Sequence, residues 1–284
     1  MTDKETLALA LIERHMQALI GDAADAATQA AREHLEAGGS RVRARLALSA
    51  ATALNLSHET TTAIAATCEL LHNASLVHDD IQDGAAHRRG EPCLWVRYGS
   101  DVAICAGDLL ISAAYGALAG AETRYLAGLL AHTHAQIAAV ISGQAADLAA
   151  RARPVTTLDA YETVAGAKSG PLLALPLELS LIAADRAGAL PDASEAARLF
   201  AVAYQMADDI EDADADLAAG EPNIVGVLRH GARGVCPETE ARRLARQHYL
   251  AAAERAETLP LGAGKALAHQ ADARARALDA PVAA

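Results

Sequence analysis

The chain reads as all-α, a single-domain bundle of about ten to thirteen helices, on three observations. Apolar residues recur at helical spacing through nearly every segment. Runs of alternating β-branched residues are missing, as are glycine-rich loops of the GxGxxG or GxxxxGK kind. The composition is 52% hydrophobic, mostly Ala, Leu, Ile and Val, with only 3% aromatic, which suits helices packed closely together. A chain of 284 residues could form one large domain or two small ones. No linker or low-complexity stretch divides it, although two similar acidic helices hint at a weak internal duplication.

Taken in order, Glu5 to Ile20 is apolar at Leu7, Leu9, Leu11, Ile12, Met16, Leu19 and Ile20, a helical spacing. Ala23 to Ala37 continues as an Ala-rich helix that stops at Gly38-Gly39. Ser40 to Arg45 carries three alternating arginines at a loop-to-helix junction, either helix-face charge or an anion site near a helix N-terminus. Leu46 to Leu56 and the long, very apolar Thr60 to Asp83 are the next helices. Gly84 to Ser100, with Gly84, Gly90, Pro92 and Gly99, reads as the longest loop. Two apolar helices come next, Asp101 to Leu118 and Thr123 to Ala150, the second carrying Gly143, Gln144 and Asp147 and ending at a break over Arg151 to Pro154. Leu158 to Ala167 runs into Lys168-Ser169-Gly170-Pro171, a cation and a Gly-Pro break inside an apolar run; burying that charge unpaired would be costly. Pro171 and Pro176 are expected to kink the helical run beyond them. Leu172 to Ala184, Ser194 to Asp212, the short Asn223 to Leu228, Glu240 to Glu257 and Lys265 to Leu278 complete the helices.

The formal net charge of −12 argues against nucleic acid and anionic membrane surfaces as partners and favours divalent cations. Cys68, Cys93, Cys105 and Cys236 are scattered without CxxC or Cys/His ligand spacing, which fits reduced core residues in the cytoplasm. The N-terminus lacks a basic segment followed by an apolar run, and no window holds the roughly 18 uninterrupted apolar residues that span a bilayer. The expectation is a soluble chain with no transmembrane segment.

The chemistry concentrates in Leu71 to Gly90, LHNASLVHDDIQDGAAHRRG. Asp79 and Asp83 lie four residues apart with Asp80 beside them, so one helical turn projects two or three carboxylates. Such like charges repel unless a cation sits between them, and all-oxygen ligands suit Mg²⁺. Arg88 and Arg89 come after a short step, and the planar fork of arginine matches phosphate oxygens. Together they read as a metal and diphosphate site. The pattern recurs in Tyr204 to Asp212, YQMADDIED, with Asp208, Asp209 and Asp212. His72, two turns before Asp79 on the same face, is either a core histidine or a ligand-binding one.

These motifs resemble the trans-isoprenyl diphosphate synthase (polyprenyl synthetase) family. Gly38 to Arg43 is similar to its GGKRxR, and His72 to Asp83 with Arg88-Arg89-Gly90 to its first aspartate-rich motif and trailing RRG. Gly107-Asp108-Leu109-Leu110 is similar to GDxLL, Gly143 to Leu148 to GQxxDL, Lys168-Ser169 to KT/KS, and Gln205 to Asp212 to QxxDDxxD. The resemblance implies helices around a central cavity and about three Mg²⁺ per site. It makes Asp79, Asp83 and Asp208 metal ligands, with Asp80, Asp209 and Asp212 on metal-bound water or the remaining positions. It puts Arg88 and Lys168 on the allylic diphosphate, and Arg43, His72 and Arg89 on a second, homoallylic one. Gln144 joins the substrate-binding set, and Ser169 and Gln205 line the place where the allylic cation forms. The implied reaction is condensation of an allylic prenyl diphosphate with isopentenyl diphosphate, in a homodimer.

Two departures stand out. The family's GGK lysine is Ser40 here, and its later GK is matched by Gly220-Glu221-Pro222, with Arg229 or Arg233 further on. Each change should weaken diphosphate binding by about 1 to 3 kcal/mol. The alternatives are therefore a terpene synthase or a transferase to another acceptor on the same fold, then a non-catalytic regulatory subunit. Ala74 and Ser75, about one turn before the first cluster, are small and favour a product of about twenty carbons or longer.

Overall fold

Side-chain oxygens open three of the helices. Asp25 accepts from the Thr28 amide (2.9 Å) ahead of α2 (Ala26–Glu36), and Ser57 from Thr60 (3.2 Å) ahead of α4 (His58–Gln82). Thr157 accepts from Ala160 (3.3 Å) ahead of α8 (Leu158–Ala183). In the computed structural model residues 3–150, 155–213, 216, 223–231 and 236–279 are described. The other helices among them are α1 (Asp3–Ile20), α3 (Val42–Ala53), α5 (Leu94–Tyr98), α6 (Ser100–Ala119), α7 (Leu126–Ala150) and α9 (Leu190–Glu211), followed by α10 (Ile224–Gly231), α11 (Pro237–Glu257) and α12 (Lys265–Ala277). The all-α expectation holds, with twelve α-helices among the described residues.

Three expectations about elements are corrected. The segment from Gly84 to Ser100 is not a plain loop: β1 (His87–Arg88) pairs antiparallel with β2 (Glu91–Pro92), and α5 comes after them. Two-residue strands are too short to leave a periodic trace. The arginines do stand at a loop-to-helix junction, but α3 starts at Val42 and not at Leu46; Arg41 is its N-cap, at a left-handed φ of 50°. Finally, Pro171 and Pro176 lie inside one continuous α8 rather than dividing it. Pro171 has no N–H for the Ala167 carbonyl. That oxygen faces α7, where a Cβ on Gly143 would stand 2.6 Å from it. Close packing of a glycine thus covers the place where the helix ladder is interrupted.

Among the described residues three apolar clusters make the core, and α8 contributes to all of them. Leu172, Leu175 and Leu179 join the first cluster with α1, α2, α4 and α6. Leu173, Leu177 and Leu181 join the second with α3, α9, α11 and α12. Tyr161 and Ala165 join the third with α9, α10 and α11. Helices α4 and α6 pack closely at Gly107, where a Cβ would come within 2.2 Å of the His78 ring. By length and apolarity α6 is also sufficient to cross a bilayer, with 44% of that window buried within the chain.

Candidate active site

Both aspartate clusters sit at helix C-termini. Asp79 and Asp80 occupy the last turn of α4 and Asp83 is its C-cap; Asp208 and Asp209 occupy the last turn of α9 and Asp212 is its C-cap. The C-terminal end of a helix carries partial negative charge, so each carboxylate there is disfavoured by about 0.3 to 1 kcal/mol. Repulsion within each cluster adds to this.

The two clusters meet through Asp83. A cavity of about 260 Å³ is lined by Asp83 at the end of α4, Asp147 of α7 and Tyr161, Val164, Ala165 and Lys168 of α8. Gln205, Asp208, Asp209 and Asp212 close it from α9, with Asp216 beyond. Lys168 Nζ donates to Asp147 at 3.0 Å, so the suspicious charge in the apolar helix is paired. Asp79 does not line this cavity but feels the charges around it. Burial pushes its carboxyl up to about 6, against the pull of Lys168 and with the push of Asp83. Asp208 is also raised, by burial and then by Asp212 and Glu211.

The neighbouring aspartates differ. Asp80 is buried and accepts from Arg88 Nε at 2.8 Å, with Nη2 at 2.7 Å from the same oxygen. Asp209 is buried and accepts from Gln205 Nε2 (2.7 Å), Tyr161 Oη (2.8 Å) and the Ile224 amide (2.8 Å). Burial raises its carboxyl and those donors lower it. Among the described residues no three His, Cys, Asp or Glu side chains converge on one point. The donor set is nevertheless all oxygen, and Mg²⁺ takes only one or two carboxylates, filling its octahedron with water and phosphate oxygens. A cavity walled by six aspartates and one ammonium fits that ion.

The second set of cations gathers elsewhere. Arg43, His72 and Arg89 border a pocket of about 20 Å³ with Gly38, Gly39 and Ser40. Burial lowers Arg43, whose Nε is buried without a hydrogen-bond partner among the described residues. Burial also holds the His72 imidazole well below the usual range, with Arg43 adding to the effect. Arg89 Nη1 donates to the Gly38 carbonyl (2.9 Å), and its guanidinium lies so near Gly39 that a Cβ there would be 2.8 Å from it. The three alternating arginines part company here. Arg41 borders the same pocket as Arg43 but its charge is spent on Glu13 at 3.0 Å, and Arg45 pairs with Glu5 at 2.5 Å.

Ser169 and Gln144 do not line the larger cavity. Gln144 is buried, its Nε2 without a hydrogen-bond partner among the described residues, one turn before Asp147. Arg229 pairs with Glu238 at 3.2 Å and lines neither pocket. Gly220, Glu221, Pro222, Arg233 and the Arg151 to Pro154 break lie outside the described residues. Tyr161 and Asp216 were missed in the sequence. Tyr161 precedes Lys168 by seven residues, two turns on one face, which was the signal available.

A model of the polyprenyl synthetase family matches residues 24–223. The chain is 32% identical to the (2E,6E)-farnesyl diphosphate synthase of Mycobacterium tuberculosis over 173 residues, 61% of this chain and 48% of that one. It is 34% identical to the all-trans-nonaprenyl-diphosphate synthase (geranyl-diphosphate specific) of Rhodobacter capsulatus over 204 residues, 69% of this chain and 60% of that one. The chain thus spans about half to three-fifths of the length of these relatives. The solved geranylgeranyl pyrophosphate synthetase from Pyrococcus horikoshii superposes with a TM-score of 0.83 at 25% identity, covering 95% of this chain and 98% of that one. With the family's model matched over most of the sequence and its fold reproduced along nearly the whole length, the chain belongs to the polyprenyl synthetase family.

Proposed function

We propose that the chain is an isoprenyl diphosphate synthase, a Mg²⁺-dependent transferase acting as one isoprenoid-synthase-like domain. It joins an allylic prenyl diphosphate to isopentenyl diphosphate, head to tail, giving an all-trans prenyl diphosphate of geranylgeranyl length or longer. The observation that carries this reading is the single cavity walled by carboxylates of both aspartate clusters together with Lys168 and Gln205.

Asp79, Asp83, Asp208 and Asp212 would hold about three Mg²⁺, which when bound neutralise charge on the departing diphosphate. We give Asp80 and Asp209 a different part from the one expected of them, since Asp80 Oδ1 is already taken by Arg88 and both Asp209 oxygens by Tyr161, Gln205 and Ile224. Lys168 supplies a fixed positive charge where negative charge develops. Arg88, carried by the hairpin and braced by Asp80, adds a second. Gln205 offers an oxygen near the electron-poor carbon, and the apolar wall of Val164 and Ala165 limits water. Arg43 and Arg89 bind the second diphosphate, with neutral His72 as a hydrogen-bond donor. The pocket between them is small, so Arg89 must leave the Gly38 carbonyl for that diphosphate to enter.

That small pocket and Ser40 favour a second reading, in which the allylic diphosphate is cyclised or passed to another acceptor. Incubation with Mg²⁺ and farnesyl diphosphate, with and without isopentenyl diphosphate, separates the two. A longer diphosphate formed only with both substrates supports the first. Hydrocarbon or alcohol from the allylic substrate alone supports the second, and no turnover in either case refutes both. We also read the chain as a cytoplasmic homodimer. Exposed Ile104 of α6 and Ile141 and Leu148 of α7 offer an apolar face, and sedimentation at two concentrations would test it.

A further inference from the structure

We infer that Asp209 acts as a positioning residue that fixes the orientation of the Gln205 amide. It makes the carbonyl oxygen of Gln205, and not its NH2 group, face the reacting carbon in the cavity. The inference rests on the synthase reading above and deepens it.

An ionised carboxylate only accepts hydrogen bonds. Asp209 receives three donors of different origin: Tyr161 Oη of α8 and the Ile224 amide at the start of α10 both reach Oδ2 at 2.8 Å. Gln205 Nε2 of α9 reaches Oδ1 at 2.7 Å. Asn223 also donates to the Asp209 carbonyl at 2.7 Å, so the last turn of α9 is held at backbone and side chain alike. With Oδ1 accepting, the NH2 of Gln205 must be the group turned toward Asp209. The opposite end of the same planar amide is an oxygen, and Gln205 lines the cavity beside Lys168 and Asp208. A carbonyl dipole with its negative end inward favours a cation; an inverted amide would present positive hydrogens to it. Asp209, itself on the cavity wall, thereby sets which end of the Gln205 amide the cavity meets.

The oxygen that takes each donor decides what a substitution does. In Asp209→Asn the Tyr161 hydroxyl and the Ile224 amide still require an acceptor, so the new carbonyl takes the Oδ2 side and the new NH2 falls toward Gln205. The Gln205 amide then turns over and its NH2 enters the cavity. Adding Gln205→Glu restores an acceptor toward position 209 and an oxygen toward the cavity. We expect Asp209→Asn alone to lower kcat about tenfold to a hundredfold, with the KM for the allylic diphosphate and Mg²⁺ binding by calorimetry within about twofold of wild type. The double variant should recover at least tenfold in kcat. A role in stability alone would not be rescued this way.

Failure of the double variant to exceed the single one overturns the inference, as does a tenfold weaker Mg²⁺ affinity in the single variant, which would make Asp209 a ligand. Should Asp209→Asn not fold, Gln205→Glu alone decides. It sets two carboxylates face to face and should lose about tenfold in kcat, and full activity would overturn the proposal. Wild-type turnover measured in parallel separates the two layers: an inactive wild type refutes the synthase reading, whereas an active one with no rescue refutes only the role of Asp209.

Discussion

Asp79→Asn should make the metal-free protein more stable while abolishing its chemistry. Burial lifts the Asp79 carboxyl from its ordinary 3.8 to about 6, with Lys168 opposing and Asp83 assisting. At about 1.4 kcal/mol per tenfold change in affinity, that rise corresponds to roughly 3 kcal/mol, and partial solvent access reduces it to about 2 kcal/mol. The sign is that of a raised carboxyl: the charged form costs the fold stability above pH 6, and the cost vanishes as the pH falls from 6 towards 4 and the folded state takes up its proton first. Replacing the carboxylate by an amide should therefore raise the melting temperature in EDTA at pH 8 by roughly 4 °C, and by almost nothing at pH 4. Mg²⁺ should reverse the ranking, stabilising wild type by selective binding and the variant far less. Calorimetric melts at pH 8 and 4, with EDTA and with Mg²⁺, read all of this. A variant less stable than wild type in EDTA at pH 8 would refute the claim that the acidic site is held under electrostatic cost.

Asp208→Ala should lose on the order of 100-fold or more in turnover, and near-normal rates would remove Asp208 from the metal set. Ser40→Lys, adding a cation beside Arg43 and Arg89, should lower the KM for isopentenyl diphosphate about tenfold; an unchanged KM would show that the second diphosphate lies elsewhere. Gly143→Ala puts a Cβ 2.6 Å from the Ala167 carbonyl. It should cost about 1 to 3 kcal/mol in chemical denaturation and reduce activity by moving Asp147 off Lys168, and wild-type stability would refute the close packing of α7 on α8.

The sequence was most informative where chemistry and helical periodicity coincide. Asp79 with Asp83, and Asp208 with Asp212, are four apart and share a face, so a cavity bordered by Asp83, Asp208 and Asp212 could be anticipated, whereas the place of Asp79 outside its lining could not. The same geometry also separates their neighbours. Asp80 and Asp209 are one residue on, about 100° around the helix, and meet partners of their own: Arg88 for one, Tyr161 and Ile224 for the other. Spacing could not reveal that Arg41 and Arg45 form ion pairs, because their partners Glu13 and Glu5 are distant in sequence. Nor could it reveal that α8 survives two prolines, since the group covering the freed carbonyl is a glycine on another helix.

The way α8 threads all three apolar clusters bears on how this protein dies when heated. Its one rod carries Tyr161 and Lys168 near the front and leucines of two cores behind. No cluster can melt by itself without dragging at the Lys168 ammonium, which meets Asp147 at the cavity. Thermal inactivation and loss of helical ellipticity should accordingly trace a single curve, with no window in which a folded shell outlives its catalytic heart.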